Sequence, residues 1–243
     1  MVGREGNCDM YINEFGQPLG PLVDSWKGAR FPIPKMLTGW GCRLEPLDAA
    51  AHATSLWQAF SADSGAMWTY FSAGPYASLA EFEAELRERA QQNDPQYYTI
   101  IDASSGRALG LASYLRIMPS GGSIEVGWLH FSPALQRTRL ATAAMVLMME
   151  YAFELGYRRY EWKCNNLNAP SKRAAERLGF TFEGIFRNAT VNKGRSRDTA
   201  WFSILDSEWP ALRMAYAAWL DDANFNSAGQ QKRKLAEFMP QQG

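Results

Sequence analysis

Residues 123–144 read SIEVGWLHFSPALQRTRLATAA and run on into the apolar stretch VLMMEYAF (146–153). The first nine residues mix β-branched and aromatic side chains with polar ones, as a strand does. After Ser132-Pro133 the period changes. From 137 to 155 the chain is apolar almost all round, so the helix it forms is a buried one, and Gly156 ends it. RRYEWKC (158–164) reads as a second strand. A strand, a buried helix and a strand in that order call for a right-handed crossover and a parallel strand pair.

Upstream, YYTIID (97–102), ALGLASYLRI (108–117) and SIEVGWLHF (123–131) are separated by the turns SSGR and PSGG and form an antiparallel meander. CRLEPL (42–47) is a short strand, and Asp48 caps a helix running to about Ala62. An aromatic loop (63–78) leads to a helix over Leu79–Gln92. Downstream, Asn168 opens a helix closed by Gly179, TFEGIFRNATV (181–191) and RDTAWFSIL (197–205) pair as a hairpin, and 207–220 is a last helix. This predicts one mixed α/β domain over 42–220, with a mostly antiparallel sheet of six to seven strands flanked by helices. Residues 1–41 are an irregular Gly/Pro-rich arm that packs through Trp26, Phe31 and Trp40. Residues 221–243 are a polar, loose tail.

The 243 residues include 25 Lys/Arg and 25 Asp/Glu, so no global charge points to nucleic acid or an anionic membrane. The balance hides a basic segment: 158–197 holds ten Lys/Arg against Glu161, Glu176 and Glu183. That is either a solvated face or a site for a polyanion. The three cysteines, Cys8, Cys42 and Cys164, are widely spaced without a CxxC, and with His52 and His130 they make no metal set. The opening MVGREGNCDM has no apolar signal core, and the longest apolar run, Leu140–Met149, is too short to span a bilayer. The expectation is a cytoplasmic protein without a metal or membrane partner.

The connectivity switches between strand 123–131 and strand 158–164, and open sheets bind ligands at such points. The helix that starts near Arg137 opens at the mouth of that crevice. Its free N–H groups and partial positive charge suit phosphate, and Arg137 and Arg139 add charged donors.

The runs IEVGWLHFSPALQRTRLATAA (124–144) and WKCNNLNAPSKRAAERLGFTFEGIFRN (162–188) resemble the GNAT superfamily of acetyl-CoA-dependent N-acetyltransferases, and within it the RimJ/RimL type that acetylates N-terminal amines of ribosomal proteins. The resemblance spans roughly 42–205. It implies acetyl-CoA as cosubstrate and a splayed parallel strand pair that holds it. The family's pyrophosphate loop, Q/R-x-x-G-x-G/A, falls on Gln136, Arg137, Thr138, Arg139, Leu140, Ala141 and Thr142. Gln136 and Ala141 match its ends, and Arg139 stands where the family has glycine, which can take a positive φ and lets phosphate approach. The family's bulged strand, whose N–H groups bind the pantetheine arm and polarise the thioester, falls on Leu129, His130 and Phe131. Gly127 in that strand reads as a bulge or as simple packing.

Acetyl transfer to an amine requires a base, directly or through water, and an oxyanion donor; it needs no enzyme nucleophile. Glu125 interrupts an apolar strand and falls where several family members keep a base glutamate. Glu161, on the neighbouring strand between Tyr160 and Trp162, is the second reading; for each the alternative is a carboxylate in a salt bridge. A pKa raised by an apolar setting would suit either one to the task. Ser171 shares the apolar face of its helix with Ala174, Ala175 and Leu178, and by resemblance lies near the thioester sulfur. Asn168 by resemblance contacts the coenzyme arm, while an N-cap alone also explains it. The His130 side chain reads as packing, and Trp68, Tyr70 and Phe71 either lid the acceptor or fill the core.

These readings make the chain an N-acetyltransferase acting on a small-molecule amine or a protein N-terminus, as a monomer or homodimer. The alternatives are a non-catalytic acyl-CoA-binding module on the same fold and RNA or ribosome binding through 158–197.

Overall fold

The computed structural model describes residues 11–240; Cys8 lies outside them. The core of the fold is an eight-stranded sheet in the order β3-β4-β5-β6-β7-β8-β10-β9. Its strands are β3 (Leu37–Gly39), β4 (Cys42–Pro46), β5 (Gln96–Asp102), β6 (Ala108–Met118), β7 (Ser123–Phe131), β8 (Arg159–Asn165), β9 (Thr181–Asn192) and β10 (Arg195–Leu205). Every neighbouring pair is antiparallel except β7 and β8, which run parallel. A separate two-stranded ribbon, β1 (Tyr11–Ile12) with β2 (Pro18–Leu19), lies in the arm.

The sheet has one strand more than the upper expectation, because β3 comes from the arm. It turns into β4 through Trp40 and Gly41, both at positive φ (50° and 74°), a two-residue hairpin that suits the twist of its strands. A tryptophan is not a usual residue for such a turn, so its composition does not announce it; Trp40 packs its ring on the core instead.

The helices are α1 (Ala49–Phe60), α2 (Leu79–Ala90), α3 (Arg139–Glu154), α4 (Ala169–Arg177) and α5 (Trp209–Leu220). Side-chain caps set the starts of the first four: Asp48 accepts from Ala50 and Ala51, Ser78 from Glu81, Thr138 from Ala141 and Asn168 from Ser171. Helix α3 therefore begins two residues later than its apolar pattern suggests. One face of the sheet packs on α3, α4 and α5, with Ile124, Val126, Tyr160, Trp162, Phe202 and Ile204 pointing inward. On the other face α1 and α2 cover the β4–β7 side through Leu56, Phe60, Phe82 and Leu86.

Two readings of the flanks change. Trp26 docks on the domain, donating its indole N–H to the Gly156 carbonyl at 2.9 Å, but Phe31 is 45 % exposed. Residues 222–240 are not loose. Leu235 is 2 % exposed, Phe225 meets Trp219 edge-on, and the Asn224 side chain is held by the carbonyls of Trp219 and Arg233. Few but well-placed apolar residues dock a segment whose average composition is polar.

Candidate active site

Pairing between β7 and β8 runs from Ser123↔Arg159 to Val126↔Trp162 and stops, although β7 continues to Phe131 and β8 to Asn165. Beyond Val126 the strands part. On its other side β7 stays bound to β6 with a bulge: Leu111 pairs with His130 and Ser113 with Gly127, so Ala112 faces both Trp128 and Leu129. Trp128 takes a φ of 51° there. The Ser132 N–H donates to Leu109 on β6, so by alternation Leu129 and Phe131 turn their N–H groups toward the gap. Gly127 stands beside the bulge, and a Cβ on it would lie 2.9 Å from Leu115 Cδ2.

The loop into α3 is built around Thr138, whose Oγ1 accepts the Ala141 N–H at 3.1 Å and donates to the Leu135 carbonyl at 2.6 Å. That cap leaves the first helical N–H groups, of Arg139 and Leu140, at an open helix end. The left-handed residue is Arg137, with φ 63°, and Arg139 opens the helix. The arginine at the glycine position therefore needs no positive φ. Its guanidinium turns to the C-terminal segment, donating to the Leu220 carbonyl and to Asp222. Gln136 braces the strand end, its Nε2 donating to the Phe131 carbonyl at 2.8 Å.

These elements border one cleft of about 1670 Å³. Small-molecule sites commonly span about 300–1,000 Å³, so this one has room for a long arm and a second substrate. Glu125, Leu129, Phe131, Gln136, Arg137, Thr138, Arg139, Ala141, Thr142, Asn168 and Ser171 all line it; Leu140, His130 and Glu161 do not. The aromatic loop crosses the cleft and is tied down on the far side. Tyr70 donates its hydroxyl to the Leu167 carbonyl, and Lys193 Nζ donates to the carbonyls of Trp68 and Gly74. Trp68 is core, at 6 % exposure, whereas Tyr70 and Phe71 face the cleft.

A chain of charges runs along the sheet face that α1 and α2 leave open. Glu125, 3 % exposed, is contacted by Arg116 and by Lys163, whose Nζ lies 3.2 Å from its Oε2. Lys163 also reaches Glu161 at 2.9 Å, and Arg159 joins Glu161 to Glu183. Burial brings the Lys163 ammonium down to about 8, against the pull of Glu161. Burial raises the Glu161 carboxyl, but hydrogen bonds from Arg159 and Lys163 outweigh it, and its pKa ends below the ordinary value. The raised pKa expected of a base is thus not found at Glu161.

Ser171 Oγ accepts the Trp162 indole N–H at 3.0 Å, which leaves its own proton available. Asn168 Oδ1 caps α4 at the Ser171 N–H. His130 is buried among aromatics, its ring stacked on Phe71 with centroids 3.7 Å apart. Its Nδ1 donates to the Trp128 carbonyl, and burial pushes its pKa down to about 3, so it is neutral. The Cys42 thiol is pushed up to about 12 by burial, and that of Cys164 is raised as well, so neither is a ready thiolate. Much of the basic segment is spent internally: Arg158 on Asp206, Arg159 on Glu161 and Glu183, Lys163 on Glu125 and the same Glu161, and Lys193 on backbone carbonyls. Among the described residues no group of His, Cys, Asp and Glu is placed to hold a metal, and no helix is long and apolar enough to cross a membrane.

Sequence reasoning passed over Arg116, Lys163, Arg197 and Trp201 as site residues, though all four line the cleft. Lys163 carried the same signal as Glu125, a charge at a strand position beside buried apolar ones. The others become visible only when β6, β8 and β10 are laid side by side.

Residues 42–181 match the model of the acetyltransferase (GNAT) domain family. A GCN5-related N-acetyltransferase of known structure from Brucella melitensis is 49 % identical, covers 89 % of this chain and 99 % of its own, and superposes with a TM-score of 0.87. A probable GNAT-family acetyltransferase from Chromobacterium violaceum is 42 % identical over 80 % of this chain and 98 % of its own, with a TM-score of 0.75. A probable N-acetyltransferase, YjcK of Bacillus subtilis, is 28 % identical over 51 % of this chain and 69 % of its own. An acetyltransferase from Salmonella typhimurium that modifies the N-terminal serine of the 50S ribosomal subunit protein L7/L12, and RimJ of Mycobacterium smegmatis, share the fold at 20 and 19 % identity.

Proposed function

The chain belongs to the GNAT acetyltransferase family, and on that premise we propose that it moves the acetyl group of acetyl-CoA to a primary amine by direct attack, with Glu125 as the proton acceptor. The observation that carries the reading is the gap between β7 and β8, with a phosphate-suited helix end at one side and a buried carboxylate at its apex. Acetyl-CoA is an acetyltransferase's acyl source, and the donor set fits it: open N–H groups at the start of α3 and Arg137 for the pyrophosphate, and the N–H groups of Leu129 and Phe131 for the pantetheine arm.

In this reading the amine nitrogen attacks the thioester carbonyl carbon. A bulge N–H of β7 stabilises the charge that grows on the carbonyl oxygen. Glu125 takes the amine proton as the C–N bond forms, and the C–S bond breaks to give the amide and the coenzyme thiolate, to which the Ser171 hydroxyl donates a hydrogen bond and which takes its proton from solvent. Asn168 steadies the arm while capping α4. Glu161 orients Lys163 and does not touch substrate. A protein N-terminus as acceptor, the RimJ/RimL habit, is a narrower reading supported by the motifs at 124–144 and 162–188. The test is calorimetry with acetyl-CoA followed by thiol release against an amine panel; no heat at millimolar acetyl-CoA sinks the proposal.

A further inference from the structure

The end of the cleft away from α3 is lined by the cationic side chains Arg116, Lys163 and Arg197. Trp201 pairs with Lys163 across β10 and β8, and its ring centroid lies 3.3 Å from Lys163 Nζ. Arg116 leans on the same ring, 5.9 Å from its centroid. Arg197, Thr199 and Trp201 are alternate residues of β10, and all three line the cleft. The pairing of Thr199 with Asn165 and of Trp201 with Lys163 puts those two on the sheet face of Glu125 and Lys163, opposite the face that packs on α3, and Arg197 lines the same cleft beyond them.

Donor bookkeeping separates Arg197 and Trp201 from their neighbours. Arg116 and Lys163 are matched to Glu125. Among the described residues Arg197 has no carboxylate within ion-pair distance, and its Nε is buried without an acceptor; the same holds for Trp201 Nε1. Both groups can only donate. Leaving such a donor buried and empty costs about 1–3 kcal/mol, so acceptor atoms on a ligand would be rewarded there. The other carboxylate lining this end, Asp63, already accepts the N–H groups of Gly65 and Met67.

We propose that the acetyl acceptor is a small amine that also carries a carboxylate, which Arg197 grips with help from Trp201 Nε1. This rests on the transferase reading above. The amine end lies at Glu125, its proton acceptor in that reading, and the carboxylate lies along β10. A diamine or polyamine is disfavoured, because its second positive charge would meet Arg116, Lys163 and Arg197.

The test uses the full chain, acetyl-CoA and three matched acceptors: an amino acid, its primary amide and a diamine of similar length. Thiol release gives kcat/KM for each. The expected result is an acid-to-amide ratio of about tenfold or more, the scale of one hydrogen bond to a charged group, with the diamine last. Arg197→Met should collapse the ratio toward one, Arg197→Lys should restore part of it, and Trp201→Phe, which keeps the ring over Lys163, should lower it. A ratio near one in the wild type, a preferred diamine, an unchanged ratio in both Arg197→Met and Trp201→Phe, or no turnover of any acceptor despite acetyl-CoA binding would overturn the inference. Absence of acetyl-CoA binding by calorimetry would instead defeat the transferase reading beneath it.

Discussion

Arg139, the first residue of α3, and Asp222, just past α5, form an ion pair of 2.7 Å. The partners contribute unequally. The Asp222 side chain is 93 % exposed, and exposed pairs are worth about 0–1 kcal/mol. Arg139 also donates to the Leu220 carbonyl and lies 4.4 Å from the Phe225 ring centroid. Asp222→Ala should therefore change stability by less than about 0.5 kcal/mol, while Arg139→Ala should cost about 1–2 kcal/mol and speed amide exchange across 221–240. Equal effects in urea melts would show that the stacking and the carbonyl bond do not hold the segment.

Glu125→Gln keeps the shape of the side chain and removes its charge. Turnover should fall by about 10²–10⁴, the usual worth of a positioned base, while the acetyl-CoA affinity changes little. Removing the carboxylate leaves Lys163 and Arg116 with less compensation, so a drop in melting temperature is expected too. Unchanged turnover in a folded variant would remove Glu125 from the reaction.

His130 ties stability to acid. Its pKa is about 3 in the fold against an ordinary 6.5. Between those values the unfolded chain holds a proton that the folded one does not, so stability falls as pH drops from 6.5. His130→Phe should flatten the decline in unfolding free energy between pH 7 and 5. A parallel decline in both proteins would show that His130 is not its source. Glu161 and Glu183, both held below their ordinary values by Arg159, act lower, losing their contribution as pH falls below about 4.5.

Lys163 acts at the alkaline end. Its pKa of about 8 lies below the ordinary 10.5. From 8 to 10.5 the unfolded chain keeps the proton longer, so stability should rise with pH through that window. Lys163→Met should abolish the rise in denaturant midpoints between pH 8 and 10; a rise of the same size in the variant would count against the assignment.

Local signals carried most of the fold. Asp48 and Asn168 cap α1 and α4 through atoms two or three residues away, and Gly156 and Gly179 take the positive φ that ends α3 and α4. Such features are complete within a short window of chain. The β3–β4 hairpin escaped because Trp40 tolerates its φ only by packing on the core. The departure at Arg139 misled in a similar way: the loop's left-handed position is Arg137, and the reason for an arginine at 139 lies 81 and 83 positions onward. Glu125, Ser171 and the loop 136–142 were legible because a motif names them. Arg116, Arg197 and Trp201 were not, since their meaning depends on which donors the folded neighbours leave empty.

A second irregularity in the β6–β7 pairing, where Arg116 and Ile117 both fall opposite Ile124, reaches further than its position suggests. Arg116 sits at φ 47° with its N–H, and that of Ile117, both donated to Asp94, at 2.9 and 3.0 Å. Asp94 is not among the residues lining the cleft, yet its two oxygens fix the backbone from which the Arg116 guanidinium reaches Glu125. The aim of a charge in the cleft is thus delegated to a surface turn before β5. Changes in that turn, which burial alone would rank as harmless, can retune the cleft without altering any side chain inside it.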